Sequence, residues 1–278
     1  MGQTLDLTTS TNINLQYTTI TVSGTLIVPS GTVLRATSNV VISGSINVAT
    51  GTQDNGNIRP ASGQALSPAG QFGGGVGLSA FQAGHVLRPG PLGGGAGARS
   101  NLATGGDGGG TLVIHAQGSV QISTTGVISA DAKPVTQVNT GTVNSIGPGG
   151  GAGGIVVIAA KGGLTMAGVI HANGSAGGPG FLASGTNNIG GGGGGGGGII
   201  HLLASSISAS GTLQVVAGSG GASTGTGTSG SSGGGGGACG GNGGNGAAIV
   251  NGTFTASQNG SPGQVIQTVT PAPENLLF

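Results

Sequence analysis

Residues 189–204 read IGGGGGGGGGIIHLLA. Nine consecutive glycines run without a break into Ile199 and Ile200. Poly-glycine is ordinarily a flexible linker, whereas an apolar run opening on β-branched residues is the start of a strand. The same juncture recurs as GGGTLVIHA at 108–116 and GAGGIVVIAA at 151–160. A linker has no reason to precede the same kind of strand each time, so the glycines belong to a repeating architecture.

Working outward, the strand that follows each juncture leads into a second pattern: apolar-x-apolar-x-Gly-x-apolar-x-apolar. It fits ITVSGTLIV around Gly24, VVISGSINV around Gly44, LTMAGVIHA around Gly168 and ISASGTLQV around Gly211. Weaker copies surround Gly126 and Gly252. Period-two alternation describes strands with one buried face, and a glycine between two such strands marks a corner. Each unit therefore reads strand, strand, glycine corner, strand. That is one coil of about 20 residues of a parallel β-helix.

Corner spacing locates what is inserted. Gly24 and Gly44 are 20 residues apart, whereas Gly126, Gly168, Gly211 and Gly252 follow at 42, 43 and 41. Later coils carry a glycine-rich excursion of roughly the coil's own length, always at the same point. The 82 residues from Gly44 to Gly126 leave room for a degenerate coil at AFQAGHVLR, around Gly84. The organisation expected is N-terminal coils and cap at 1–51, a long glycine-rich insertion at 52–110, coils alternating with glycine tracts at 111–256, and a cap or docking arm at 257–278, where three prolines oppose ladder extension.

A fixed insertion point puts every excursion on one side, in tracks ~4.8 Å apart, the strand spacing. Side chains would collide there and glycine has none. Fixing a glycine costs about 0.5–1 kcal/mol more than fixing an alanine, so 69 glycines are retained because a β-carbon does not fit. Extended poly-glycine takes the left-handed helix with three residues per turn, and such helices can hydrogen-bond sideways. The fold expected is all-β, a solenoid with stacked polyglycine-II-like excursions on one side and no α-helix.

Charged residues are 4 % of the chain, against roughly 25 % in ordinary domains, and formal net charge is +1. Six basic residues cannot form a nucleic-acid surface. No apolar run is long enough to cross a membrane. The start MGQTLDLTTSTN lacks the features of a secretory signal. A single cysteine, Cys239, excludes an internal disulfide. Five acids show no paired register, and four histidines take different repeat positions. No catalytic residue, metal site or cofactor is expected. Isolated large residues in or beside the tracts, Phe72, Phe81, His85, Phe181 and Leu182, are the candidates for a binding surface, because aromatics anchor interfaces.

GPGGGAGGIVVIAA, IGGGGGGGGGIIHLLA and GGGGGACGGNGGNG resemble the glycine-rich domains of phage tail-fibre tip adhesins and the β-helical, glycine-rich repeats of bacterial surface adhesins, over roughly 90–262. The resemblance implies a sandwich of poly-glycine helices whose tip loops touch a host receptor, and a location on a virion or extracellular surface. The function expected is therefore that of a non-enzymatic adhesive or structural protein, chiefly a phage tail component that binds a cell-surface protein or glycan. The first alternative is a subunit of an extracellular filament or coat, joining itself or another structural protein through open coil ends or the C-terminal arm. A minor alternative is an ice-binding face.

Overall fold

The computed structural model describes residues 3–54, 59–136, 141–227, 229–250 and 253–277. Gly252 and Gly2 lie outside them. The described chain is nearly all β. Six short strands stack in parallel to form one sheet: Thr4–Asp6, Thr25–Val28, Ser45–Val48, Val127–Ser129, Val169–His171 and Thr212–Gln214. A second sheet has two columns. One begins with Asn14–Tyr17, Thr32–Ala36 and Thr111–Ala116, and the other with Ile20–Val22, Val40–Ile42 and Val120–Ile122. Two long strands, Ile155–Met166 and Ile199–Ala209, run through both columns and join them. Gln264–Val269 adds a last parallel strand beside residues 199–204.

Pairing is in register, so like residues stack. Leu5, Leu26, Ile46, Ile128, Ile170 and Leu213 form one column across the short-strand sheet. Leu15, Leu34, Ile114, Ile158 and Leu202 form another, facing it. Apart from Leu5, which is exposed at the end of its column, these residues fill a single core between the sheets with Val40, Val120, Leu164, Ile42, Ile122 and Met166. Burying each large aliphatic side chain stabilises the fold by ~1.5–3 kcal/mol.

The runs IVVIAA and IIHLLA are apolar at all but one position, the buried His201, because both of their faces are covered. Val156, Ile158, Ile200 and Leu202 enter the main core. Ile155, Val157, Ile199 and Leu203 point the other way, into a second cluster closed by Ala83, Leu78, Val86, Leu87 and Cys239. The segment that lays this cover includes one turn of α-helix, Ala80–Gly84. It corrects two expectations, the absence of helix and the degenerate coil around Gly84. Ser79 Oγ accepts from the Gln82 N–H, and Gln82 Oε1 accepts from the Ser79 N–H at 3.0 Å, a reciprocal cap that starts a helix. No rung lies between Ser45–Val48 and Val127–Ser129, which pair directly. A second short helix, of 3-10 type, spans Pro273–Leu277.

The C-terminal region, read as a cap or docking arm, extends the ladder that its prolines were expected to oppose. Pro262, Pro271 and Pro273 lie outside Gln264–Val269, so the ladder is not interrupted. The copy around Gly252 is different again: Ala248–Val250 pairs antiparallel with Thr253–Thr255, apart from both parallel sheets.

The nine glycines at 190–198 are all buried. Their nine N–H groups all find acceptors. Gly190, Gly193 and Gly196 donate to the carbonyls of Ser231, Gly234 and Gly237, and Gly192, Gly195 and Gly198 donate to those of Gly178, Ser175 and Ala172. Gly194 and Gly197 donate to Gln258 and Ser261, and Gly191 to Ser223 Oγ. Their nine carbonyls accept as completely. Gly190, Gly193 and Gly196 take the N–H groups of Gly147, Gly150 and Gly153, while Gly191, Gly194 and Gly197 take those of Ala247, Gly244 and Gly241. Gly192 and Gly195 accept from Gly221 and Gly218, and Gly198 from Gln264. Successive residues address different neighbours and every third residue returns to the same one. The segment is a strut surrounded by six others, and no backbone polar group in it is stranded.

Substitution separates the packed glycines from the open ones. A β-carbon on Gly194 would overlap the carbonyl of Gly218, and one on Gly150 the carbonyl of Ser175. At Gly84 and Gly73 it would meet nothing within 4 Å. In chemical denaturation, Gly194→Ala and Gly150→Ala are expected to cost at least about 2–3 kcal/mol each, the scale of overpacking a filled interior. Gly84→Ala is expected to change stability by less than about 1 kcal/mol.

Candidate functional site

Away from the sheets, each excursion turns back on itself, and these turns are held by side-chain amides. Asn101 Nδ2 donates to the carbonyl of Asn144 (3.0 Å), and Asn101 Oδ1 accepts from the Ile146 N–H (3.1 Å). Asn144 Oδ1 accepts from the Ala183 N–H (2.8 Å), and its Nδ2 donates to Ser184 (3.2 Å). Asn187 Oδ1 accepts from Ser229 Oγ (3.1 Å), and Asn188 Nδ2 donates to Gly227. Asn101, Asn144 and Asn187 are 43 residues apart in turn, the period of the excursions. Short backbone pairings complete the rim: Ser145 with Phe181, Ile189 with Thr224, and Asn188–Ile189 with Gly230–Ser231.

These turns enclose a cleft of about 380 Å³ lined by Gln71, Phe72, Asn101, Asn144, Ile146, Ile189, Ser231 and Ser232. Its lining has one aromatic ring, two aliphatic side chains and five neutral hydrogen-bonding groups. None of these residues is ionisable, and the lining offers amide and hydroxyl donors and acceptors beside apolar surface. The asparagine spacing is the signal that would have located it. The aromatics draw attention first, whereas a 43-residue asparagine repeat emerges only when the excursions are aligned with one another.

The five candidate residues fall into two places. Phe72 is 49 % exposed and lines the cleft. Phe181 and Leu182 are half-buried, and Phe181 exchanges both backbone hydrogen bonds with Ser145, beside Asn144. Phe81, 77 % exposed, and His85 lie on the helical turn, with ring centroids 4.5 Å apart. His85 lines a different cavity of about 650 Å³, with His201, Leu203, Thr268 and Leu276. The two cavities share no lining residue. Gly24, Gly44, Gly126, Gly168 and Gly211 each sit immediately before a short strand, where a β-carbon would strike backbone of the preceding rung.

One ionisable pair was not anticipated. Asp131 Oδ2 lies 2.5 Å from His171 Nδ1, its Oδ1 accepts from the Asn173 N–H at 2.6 Å, and Ser129 Oγ donates to its Oδ2 at 3.3 Å. Ser129 and His171 are register partners on adjacent strands. The serine bonds the carboxylate and not the imidazole, which is not the order that activates a nucleophile. The arrangement pins two rungs together. The hydrogen bond to Asp131 raises the pKa of His171.

Elsewhere burial dominates. It pushes the Cys239 thiol up to about 12, so the side chain serves as apolar filling. His201, 2 % exposed, is held down at about 4 by burial, with Nε2 2.9 Å from Thr268 Oγ1. His115 is lowered to about 4 by burial, then by Arg35 and Arg88. Among the described residues no group of three or more His, Cys, Asp or Glu side chains could hold a metal ion, and no helix is long and apolar enough to cross a membrane.

No family model matches the chain, and neither a curated protein nor a solved structure matches it.

The histidines set a pH dependence. A folded-state pKa below the unfolded value near 6.5 means that stability is present above pH 6.5 and is lost as pH falls towards 4. For His201 the loss is roughly 3 kcal/mol. His171 has the opposite sign, contributing below pH 6.5 and less as pH rises through its raised pKa. Melting temperature is expected to fall between pH 6.5 and 4, and His201→Gln should flatten that fall. An unchanged acid profile in the variant would show that His201 is not the group responsible.

Proposed function

We propose that the protein is a non-enzymatic adhesive scaffold. In this reading it is a parallel β-solenoid of about 20-residue coils carrying a slab of polyglycine-II struts, and the turns at the slab's outer end bind a cell-surface receptor, as in a component of a phage tail or fibre tip. The observation that carries the reading is the cleft formed by Phe72, Asn101 and Asn144 at the far ends of fully hydrogen-bonded struts. Turns anchored on such a lattice are pre-organised, which lowers the entropic cost of binding. An aromatic ring beside neutral amides suits the hydroxyl-rich face of a glycan or the backbone of a surface protein. A location on a virion or extracellular surface belongs to the same proposal.

A second reading is favoured by the edges. Within the described residues the outer edges of Thr4–Asp6 and Thr212–Gln214 have no strand partner. Beside the first lies an apolar cleft of about 310 Å³ lined by Leu5, Leu7, Leu15, Tyr17 and Ile20. Stacking one copy on the next through these edges would continue the Leu5–Leu213 column, giving a filament subunit.

Retention of purified protein on intact host cells separates the readings. Phe72→Ala and Asn144→Ala are expected to reduce retention at least about tenfold, as loss of an interface anchor does, while Lys133→Gln leaves it unchanged. Wild-type protein that fails to bind cells but sediments as long polymers, dispersed by Leu5→Asp, would replace the adhesive reading with the filament.

A further inference from the structure

The chain has six basic residues, and three of them meet in one groove. On the outer face of the long-strand sheet, Arg35, Arg88 and Lys161 line a groove of about 230 Å³ together with Gln16, Tyr17, Thr37, His115, Gln117 and Glu274. They come from distant parts of the sequence. Arg35 and His115 are register partners on neighbouring strands, Arg88 belongs to the segment that covers the second core, and Glu274 to the C-terminal 3-10 turn. Lys161 Nζ lies 3.3 Å from Glu274 Oε1. Arg35 Nε donates to Asn14 Oδ1 at 3.1 Å, which orients its guanidinium.

Charge is concentrated here. Three cations against one carboxylate give the groove a net charge of +2, while the whole chain carries +1, so the remainder of the surface is net negative. Self-repulsion between cations on one face opposes their clustering. Neighbouring groups extend the binding capacity. Tyr17 is 54 % exposed and offers a ring face. Gln16, Gln117 and Thr37 offer neutral donors and acceptors. Guanidinium groups bind carboxylates through paired N–H donors, and a flat ring beside amides accommodates a sugar.

We propose that this groove is a binding site for an acidic sugar, a single carboxylate-bearing unit of a polyanionic glycan, with Arg35 and Arg88 on the carboxylate and Tyr17 against the ring. The site does not depend on the cleft at the outer turns, so it stands or falls independently of the adhesive reading assigned there.

Titration calorimetry with a galacturonic-acid hexamer, a neutral glucose hexamer of equal length and inorganic tripolyphosphate tests it. The acidic hexamer is expected to bind and the neutral one not to. Arg35→Gln and Arg88→Gln are each expected to weaken binding roughly tenfold or more, the usual scale for a charge-assisted hydrogen bond. Lys133→Gln, a cation outside the groove, should have no effect, and Arg35→Lys should restore part of the affinity. Unchanged melting temperatures in these exposed-site variants exclude unfolding as the cause. The proposal is overturned if the acidic hexamer does not bind, if the neutral hexamer binds equally well, if tripolyphosphate binds and the sugar does not, or if the arginine variants bind as wild type.

Discussion

The structure depends on one constraint: an extended backbone without side chains can be surrounded by six others only if its own polar groups meet theirs. At 190–198 they do, for every N–H and every carbonyl. A β-carbon at nearly any position in this strut would fall on a neighbour's carbonyl. The glycine content is therefore the condition for close approach. Its conformational cost is offset by hydrogen bonds that a solvated loop would make to water instead.

The lattice and the β wall support each other. The wall spaces the excursions, because each one leaves after a short strand and returns at the next strand of the second sheet. The lattice in turn closes the wall: Cys239, in a glycine tract, packs in the same cluster as Ile155, Ile199 and Leu203. This accounts for a protein with 2 % aromatic residues that still encloses two apolar clusters. Small stacked aliphatic columns and direct backbone contact replace the large side chains of ordinary cores. The scarcity of ions follows too, since a charge within the lattice would have no partner and little water. Where charge does occur it is conspicuous, as at Arg35, Arg88 and Lys161.

Much of this arrangement was legible in the sequence because both periods are carried by residue types that physics restricts. Alternating Ile, Val and Leu around Gly24, Gly44, Gly168 and Gly211 identify strands and corners, and parallel strands occupy those positions. The turn at Ala80–Gly84 was missed because its signal is a single local cap, Ser79 with Gln82, inside a span with no periodicity. The strand Gln264–Val269 was masked by flanking prolines that do not enter it. Of the candidate binding residues, Phe72 reaches the outer cleft, whereas Phe81 and His85 lie on the helical turn, apart from it. Isolated aromatics show that something is anchored but not where. The asparagines that hold the outer turns, and the pairing of Asp131 with His171 40 residues on, depend on alignment across a whole repeat, which local reading does not supply.

Native-state amide hydrogen exchange resolved at residues 190–204 is the most direct test of the lattice. If the nine glycines are a hydrogen-bonded strut, their amides exchange as slowly as those of the adjoining strand at 199–204, and both become exposed together on global unfolding. Exchange of the glycine amides at the rate of an unstructured peptide, with protection beginning only at Ile199, would contradict the account.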